Sequence, residues 1–251
     1  MFAHERQQAI RNLVRKHRRL SFAELQAAID VSPATLRRDL TDLEKTGEVV
    51  RVHGGVLDPA YVRSEISFDE RVLRHAAAKK AIAVKVSTLI PPGATVFVDA
   101  GSTCLEAGKV LLGRKDLRLI THSVALTAAS LHGEADFLCL GGELRRVSGA
   151  LVGGAALGAL SRLRADFALL GATGSDIGGC FTTELSEAEM KRLILERSQR
   201  AILLADSSKW NMASTVHFAG WNLFNDWVLE KALPPKEARA LRAAGVVLHS
   251  P

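Results

Sequence analysis

The stretch Val31-Ser32-Pro33-Ala34-Thr35-Leu36-Arg37-Arg38-Asp39-Leu40, followed by Leu43-Glu44 and Gly47, decides how the rest of the chain is read. Both ends of a helix are marked in it. Ser32 is a natural N-cap, and Pro33 suits the first helical position, where its missing N–H costs nothing. Gly47 stands just past the last turn, where a left-handed residue ends a helix. At about 100° per residue, Leu36, Leu40 and Leu43 share one narrow stripe, while Ala34, Arg37, Arg38, Thr41 and Lys45 fall on the opposite side. A short helix with a small, basic, hydroxyl-bearing outer face fits a DNA major groove. Arginine bridges guanine O6 and N7 or grips a phosphate, and small residues at the helix start (Ser32, Ala34, Thr35) let the backbone come close. A solvated charged face is the plain alternative.

The neighbours favour the first reading. Upstream, Ser21-Phe22-Ala23-Glu24 is a capping box opening an apolar run through Leu25 and Ile29, and a tight turn at Asp30-Val31 leads into the helix. Two short helices joined in this way form a helix-turn-helix whose second helix reads DNA. Residues 4–17 make a first helix with Ile10, Leu13 and Val14 as its apolar side; Lys16, Arg18 and Arg19 follow close to where such a motif passes the DNA backbone. Downstream, Val49–Val56 reads as a strand ending in a glycine turn, a wing that brings Arg51, His53, Gly54 and Gly55 beside the DNA. Here the run VSPATLRRDLTDLEKTGEVVRVHGGV, residues 31–56, resembles the N-terminal signature of the DeoR family of bacterial sugar-metabolism regulators nearly residue for residue.

The chain has 251 residues, enough for one large domain or for a small one plus a medium one. Its 47% hydrophobic and 24% charged residues are those of a globular protein. The formal charge of +6 and the sequence pI near 9.5 agree with a polyanionic partner, and count because they coincide with the motif. Met1–Arg6 has no apolar leader and no apolar run spans a bilayer, so a cytoplasmic protein without membrane contact is expected. Cys104, Cys139 and Cys180 are odd in number, lack CxxC spacing and read as reduced thiols. The histidines are dispersed, and neither a metal nor a cofactor is expected.

After Asp58-Pro59-Ala60-Tyr61, a linker, and a connecting helix begun by Arg63–Arg71, the pattern becomes α/β. Strands are expected at Ala94–Asp99, Leu117–Thr121, Asp136–Leu140, Ala165–Gly171, Arg200–Ala205, Thr215–Phe218, Trp227–Leu229 and Val246–Leu248, with helices between most of them. That is a mostly parallel sheet covered on both faces. The expected division is 1–57 for a winged helix-turn-helix, 58–75 for the connection and 76–251 for a larger α/β effector domain. Ligands bind such sheets at the strands' carboxyl ends. There the sequence places Asp99-Ala100-Gly101-Ser102-Thr103, Thr121-His122-Ser123, Gly141-Gly142, the glycine-rich run Gly171–Gly179, and Asp206-Ser207-Ser208-Lys209. Glycines let backbone N–H groups approach an anion, hydroxyls add donors, a helix N-terminus adds partial charge, and a lysine adds a point charge. Together they suit a small phosphorylated ligand, although glycine-rich turns also follow strands for backbone reasons alone.

This half also resembles the DeoR C-terminal domain, related to ribose-5-phosphate isomerase and CoA-transferase folds. The resemblance implies a sensor of phosphorylated sugars or their derivatives, and a Phe and an Arg ahead of a helix like Lys79–Ile90. Positions matching its ligand-site pattern are Asp99, Gly101, Ser102, Thr103, Thr121, Gly141, Gly142 and Lys209. Two departures stand out. His122 occupies a place where the family often has Asn, and is carried over as a candidate; Trp210 is bulkier than the expected aromatic. The implied protein is a homo-oligomeric repressor of a carbohydrate-utilisation operon that binds double-stranded operator DNA and answers to a phosphorylated effector, with no catalytic residues. The competing reading is a sugar-phosphate isomerase-like enzyme fused to a DNA-binding module, for which Asp99, Asp176, Glu184 and Asp206 are available carboxylates. A nonspecific nucleoid binder conflicts with so large a second domain.

Overall fold

The computed structural model describes residues 3–17, 19–52, 55–59, 66–212 and 214–250, and the chain divides into two compact units, residues 1–65 and 66–251.

In the first unit, helices α1 (Ala3–His17), α2 (Phe22–Ile29) and α3 (Pro33–Lys45) bury Ile10, Val14, Leu25, Leu36, Leu40 and Leu43 against one another. Local chemistry sets each boundary. Ser21 and Glu24 close both halves of the capping box, Asp30 turns the chain left-handed at φ 50°, and Ser32 accepts from Thr35 N at 3.2 Å. Gly47 takes φ +71° beyond α3. The wing is part of a sheet larger than the single strand expected. Strand β1 (Arg19–Ser21) pairs antiparallel with β3 (Gly55–Leu57), which pairs with β2 (Val50–Val52). Arg19 is therefore a strand residue; three residues carry too little pattern for a strand to be read, and only pairing with a segment far along the chain makes one. Gly55 lies inside β3 rather than at the turn. An added Cβ there would fall 2.4 Å from the Leu20 carbonyl oxygen, so close strand approach requires the glycine.

The second unit is built on a seven-stranded parallel sheet in the order β15-β14-β12-β9-β4-β5-β6. Its strands are β4 (Thr95–Val98), β5 (Arg118–Thr121), β6 (Asp136–Cys139), β9 (Ala165–Leu170), β12 (Ser198–Leu204), β14 (Asp226–Val228) and β15 (Val247–His249). Both faces are covered, which is why the strands are continuous apolar runs. Val96 and Val98 face a core with Ile82, Leu111 and Leu126, whereas Phe97, between them, faces the other with Leu160, Met190 and Trp227. Trp210 belongs to that second core, its ring 6.0 Å from Trp221 and 5.8 Å from Trp227. Its bulk is therefore accounted for by packing.

Two smaller sheets are additions to the expected pattern. The hairpin β7 (Glu143–Arg145) and β8 (Ala150–Val152) leaves the end of β6. The glycine-rich run 171–179 is no loop: β10 (Gly174–Asp176) folds back on β11 (Gly179–Thr182), which pairs with β13 (Val216–Ala219). The connecting helix α4 (Phe68–Leu73) packs on the second unit, with Phe68 N donating to Val147 O at 2.9 Å and the Phe68 and Val72 side chains against the core. Helix α5 (Ala76–Ser87) follows it.

Candidate functional site

The outer face of α3 is the first candidate. Ser32, Ala34, Arg37, Arg38 and Lys45 are exposed, and Thr35 and Thr41 are half-buried. The face is partly braced. Thr41 Oγ1 donates to Arg37 O at 2.8 Å and accepts from Arg51 Nη1 at 3.2 Å, and Arg51 also pairs with Glu44 at 3.8 Å. The Arg37 guanidinium lies 5.3 Å over the Phe22 ring, a cation–π contact, and Lys45 pairs with Asp42 at 3.8 Å. Arg38 has no side-chain partner among the described residues. His53 and Gly54 lie outside the described residues. Asp39 is a surprise: only 3% exposed, it accepts from Arg6 Nε at 2.5 Å and Nη2 at 3.0 Å. At about 100° per residue it falls within about 60° of Leu36, a signal the sequence contained.

The second candidate is the carboxyl edge of the large sheet. From β4 the chain moves outward through β5 and β6, whereas β9, β12, β14 and β15 lie on the other side, so the strand order reverses between β4 and β9. In such sheets the crevice at that reversal is where ligands bind. Asp99 follows β4 and Gly171 follows β9, and Gly171 N donates to Asp99 Oδ2 at 3.0 Å.

Asp99 is 2% exposed, and Lys191 Nζ donates to its Oδ2 at 2.5 Å while His122 Nε2 lies 3.1 Å from its Oδ1. Burial alone raises a carboxyl's pKa, but the Lys191 ammonium and the His122 contact outweigh it and hold Asp99 well below the usual carboxylate range. For Lys191, burial lowers the pKa, and the carboxylates of Asp99 and Glu187 more than restore it. Sequence reasoning missed Lys191, which sits on the helix Leu185–Glu196, 92 residues from its partner. His122 is buried too, with Nδ1 3.1 Å from Leu151 O and Ala100 N donating to Nε2 at 3.3 Å. Thr121 Oγ1 donates to Val98 O at 2.6 Å and accepts from Ser123 N at 3.1 Å. Asp99, Thr121, His122 and Lys191 thus form the inner wall of the edge.

The rest of the edge runs from the buried Ser102 and Thr103 to the half-buried Lys209 and the exposed Gly141 and Gly142. Gly101 is the N-cap of helix α6 (Ser102–Leu112) and no side chain caps it, so the first N–H groups of α6, at Ser102 and Thr103, are left for another acceptor. Gly141 is exposed with open space around it; Gly142 takes φ +140°, and a Cβ there would meet Val152 O at 2.6 Å. Lys209 ends the turn Ser207–Lys209 after β12 and is half-buried. Burial lowers its pKa, Asp206 opposes this, and Arg71 and Arg74 lower it further.

The geometry takes Asp99 out of acid–base chemistry. The Asp99 oxygens are engaged and its affinity for protons is lowered, so it is no general base. Burial raises the Cys104 and Cys180 thiols, which stay protonated near neutral pH. No cluster of His, Cys, Asp and Glu among the described residues could hold a metal ion, and no helix among them is long and apolar enough to cross a membrane.

Comparison with known proteins agrees with both halves. Residues 6–59 match the DeoR-like helix-turn-helix domain, and residues 74–231 match the DeoR C terminal sensor domain. The chain is 34% identical over 236 residues to the glycerol-3-phosphate regulon repressor of Escherichia coli (strain K12), covering 92% of each protein. It is 34% identical to the HTH-type transcriptional regulator FruR of Bacillus subtilis (strain 168), covering 88% of each. Ribose 5 phosphate isomerase A from Neisseria gonorrhoeae overlaps 61% of this chain and 57% of its own at 14% identity and a TM-score of 0.40, too distant to carry further argument.

Proposed function

From the premise that this chain belongs to the DeoR family of transcriptional regulators, we propose that it represses a carbohydrate-utilisation operon and that a phosphorylated sugar or polyol alters its grip on the operator. The single observation that carries this reading is the uncovered face of α3, where Arg37, Arg38 and Lys45 stand opposite the buried Leu36, Leu40 and Leu43. Phosphate contacts from these cations supply affinity, and contacts to base edges supply sequence preference. The effector end has its own support. Uncapped N–H groups at Ser102 and Thr103 and the Lys209 ammonium lie along the edge where a doubly wound sheet takes ligands.

A ligand shifts DNA affinity only as far as it binds the DNA-competent and incompetent states differently. A two-fold assembly on repeated half-sites is the arrangement this reading calls for, and the operator places the protein in the cytoplasm. Relatives named for glycerol 3-phosphate make that ester the first effector to try.

Anisotropy titrations of the full chain on the DNA upstream of its own operon test the reading, with glycerol 3-phosphate, fructose 1-phosphate and fructose 6-phosphate each added in turn. One ester should change operator affinity at least tenfold while unphosphorylated glycerol and fructose do not. Equal affinity for operator and scrambled DNA would overturn the regulator; no response to any phosphate ester would overturn the sensing. The competing isomerase lacks a free carboxylate at Asp99, and pentose phosphates should not interconvert in its presence.

A further inference from the structure

Helix α4 does not stand by itself. Its 6 residues make under two turns, too few for a helix to persist in water without packing. Three contacts hold it on the second unit. Phe68 N donates to Val147 O at 2.9 Å, and the Phe68 and Val72 side chains pack against the core. The third contact is Lys79, near the start of α5, whose side chain reaches back across the turn between the two helices. Its Nζ donates to Arg74 O at 2.6 Å and to Arg71 O, carbonyls that a helix C-terminus leaves without partners.

Lys79 is 3% exposed, and no carboxylate pairs with it among the described residues. Burial pushes its pKa down to about 8, with Asp206 opposing this and Lys209 and Arg71 adding to it. An ammonium taken out of water is tolerated only while its acceptors are in place, so moving α4 away strands it. The hold is therefore all or none. The turn it spans is itself constrained. Arg74 is extended, and His75 takes left-handed backbone at φ 52°, ψ 36°, a conformation that costs a non-glycine residue energy.

Lys79 also stands between two routes. On one side, the chain enters the second unit at Ile66, just ahead of α4. On the other, α5 packs along α6, with Ile82, Ala83 and Val86 in one core with Cys104, Ala107 and Leu111. Helix α6 in turn begins at Ser102 and Thr103, on the carboxyl edge of the sheet.

We propose that Lys79 is a positioning residue for the response to effector: its ammonium latches α4 to α5, so that a shift of α6 and α5 at the edge reaches the point where the DNA-binding unit is attached. This role rests on the reading of the chain as an effector-modulated regulator; the hold on α4 does not. A ligand changes DNA affinity through an element whose states both ligand and DNA bias. A latched α4 is such an element. With α4 loose, ester and DNA each still bind and neither feels the other.

The test compares the full-length wild type with Lys79→Met, Val72→Ala and, as a control, Lys80→Met, which removes the exposed neighbouring cation. Amide exchange over residues 66–75, read by mass spectrometry, should be about tenfold faster in Lys79→Met and Val72→Ala and unchanged in Lys80→Met. Titrations then use whichever of glycerol 3-phosphate, fructose 1-phosphate and fructose 6-phosphate shifts wild-type operator affinity. Lys79→Met should bind that ester, and the operator alone, within about threefold of wild type, yet the ester should change its operator affinity less than about twofold. That split marks positioning, since a damaged fold weakens ester binding too; ester affinity lost in step with the response overturns the proposal. If Lys79→Met does not fold, Val72→Ala, which loosens the same helix from its apolar side, decides. Unchanged exchange over residues 66–75 overturns the latch, and faster exchange with a wild-type response overturns its part in signalling. A wild type that answers to none of the three esters overturns the sensor reading and this role with it, while exchange still decides whether Lys79 holds α4.

Discussion

The outer face of α3 and the inner wall of the sheet edge are both polar, and they use polarity in opposite ways. On α3 the cations Arg37, Arg38 and Lys45 stand in solvent, Arg37 braced by Phe22 and Lys45 by Asp42. At the edge, Asp99, Thr121, His122 and Lys191 are buried and bonded to one another and to the backbone. The difference follows from the partner each region serves. A DNA duplex brings its own charge and must be reached from outside, so the cations stay hydrated until contact. A small ligand needs walls that do not rearrange, and a buried ion pair is rigid because breaking it strands a charge.

The strongest attempt to break that comparison removes Asp99. Asp99→Ala leaves the Lys191 ammonium buried without its carboxylate and should destabilise the second unit by about 3–5 kcal/mol in urea denaturation at pH 7. The acid behaviour sharpens it. The folded-state Asp99 carboxyl lies below its unfolded value, so its contribution is complete above about pH 4 and is lost as pH falls through the folded value. The variant should therefore lose less stability than wild type between neutral and strongly acidic pH. Wild-type stability in Asp99→Ala would show that the wall is not held by this pair.

In the first unit the largest effect should come from packing rather than charge. Gly55→Val places its side chain against the Leu20 backbone and should cost about 1–3 kcal/mol of stability, together with operator binding, while ester binding by the second unit persists. Unaltered melting and operator affinity would mean the β1–β3 pairing tolerates separation.

On the reading face, Arg38→Ala should cost about 1–3 kcal/mol of operator affinity if the guanidinium is bidentate to a base. If it holds phosphate instead, specific and scrambled DNA should weaken alike and the salt slope should drop by about 1. Arg37→Ala should add a stability loss of about 0.5–1 kcal/mol through its stacking on Phe22. Binding isotherms at several salt concentrations separate the cases, and no change in either variant would remove α3 as the reading helix.

The smallest effect is expected at the helix start. Ser32→Ala removes the acceptor for Thr35 N and should lower stability by about 1 kcal/mol without a change in ester affinity. A melting temperature equal to wild type would show that solvent replaces the cap at no cost.

What the sequence determined by itself was local. Ser32, Pro33 and Gly47 bound α3, the spacing of Leu36, Leu40 and Leu43 fixed its buried side, and apolar runs broken by glycine turns announced a two-sided parallel sheet. Capping and periodicity act over a few residues, so they are written in the order of those residues. Tertiary structure decided what depends on distant partners. The three-residue strand β1 exists only because Gly55–Leu57 pairs with it, and β10 with β11 made a sheet from what reads as a glycine-rich loop. Asp99 meets Lys191 across 92 residues, and a helix that reads as a connector packs Phe68 and Val72 against the core of the second unit. A charged side chain carries no local mark of whether it faces water or another charge; burial and the fold's choice of neighbour settle that, and both arise only when the chain closes on itself.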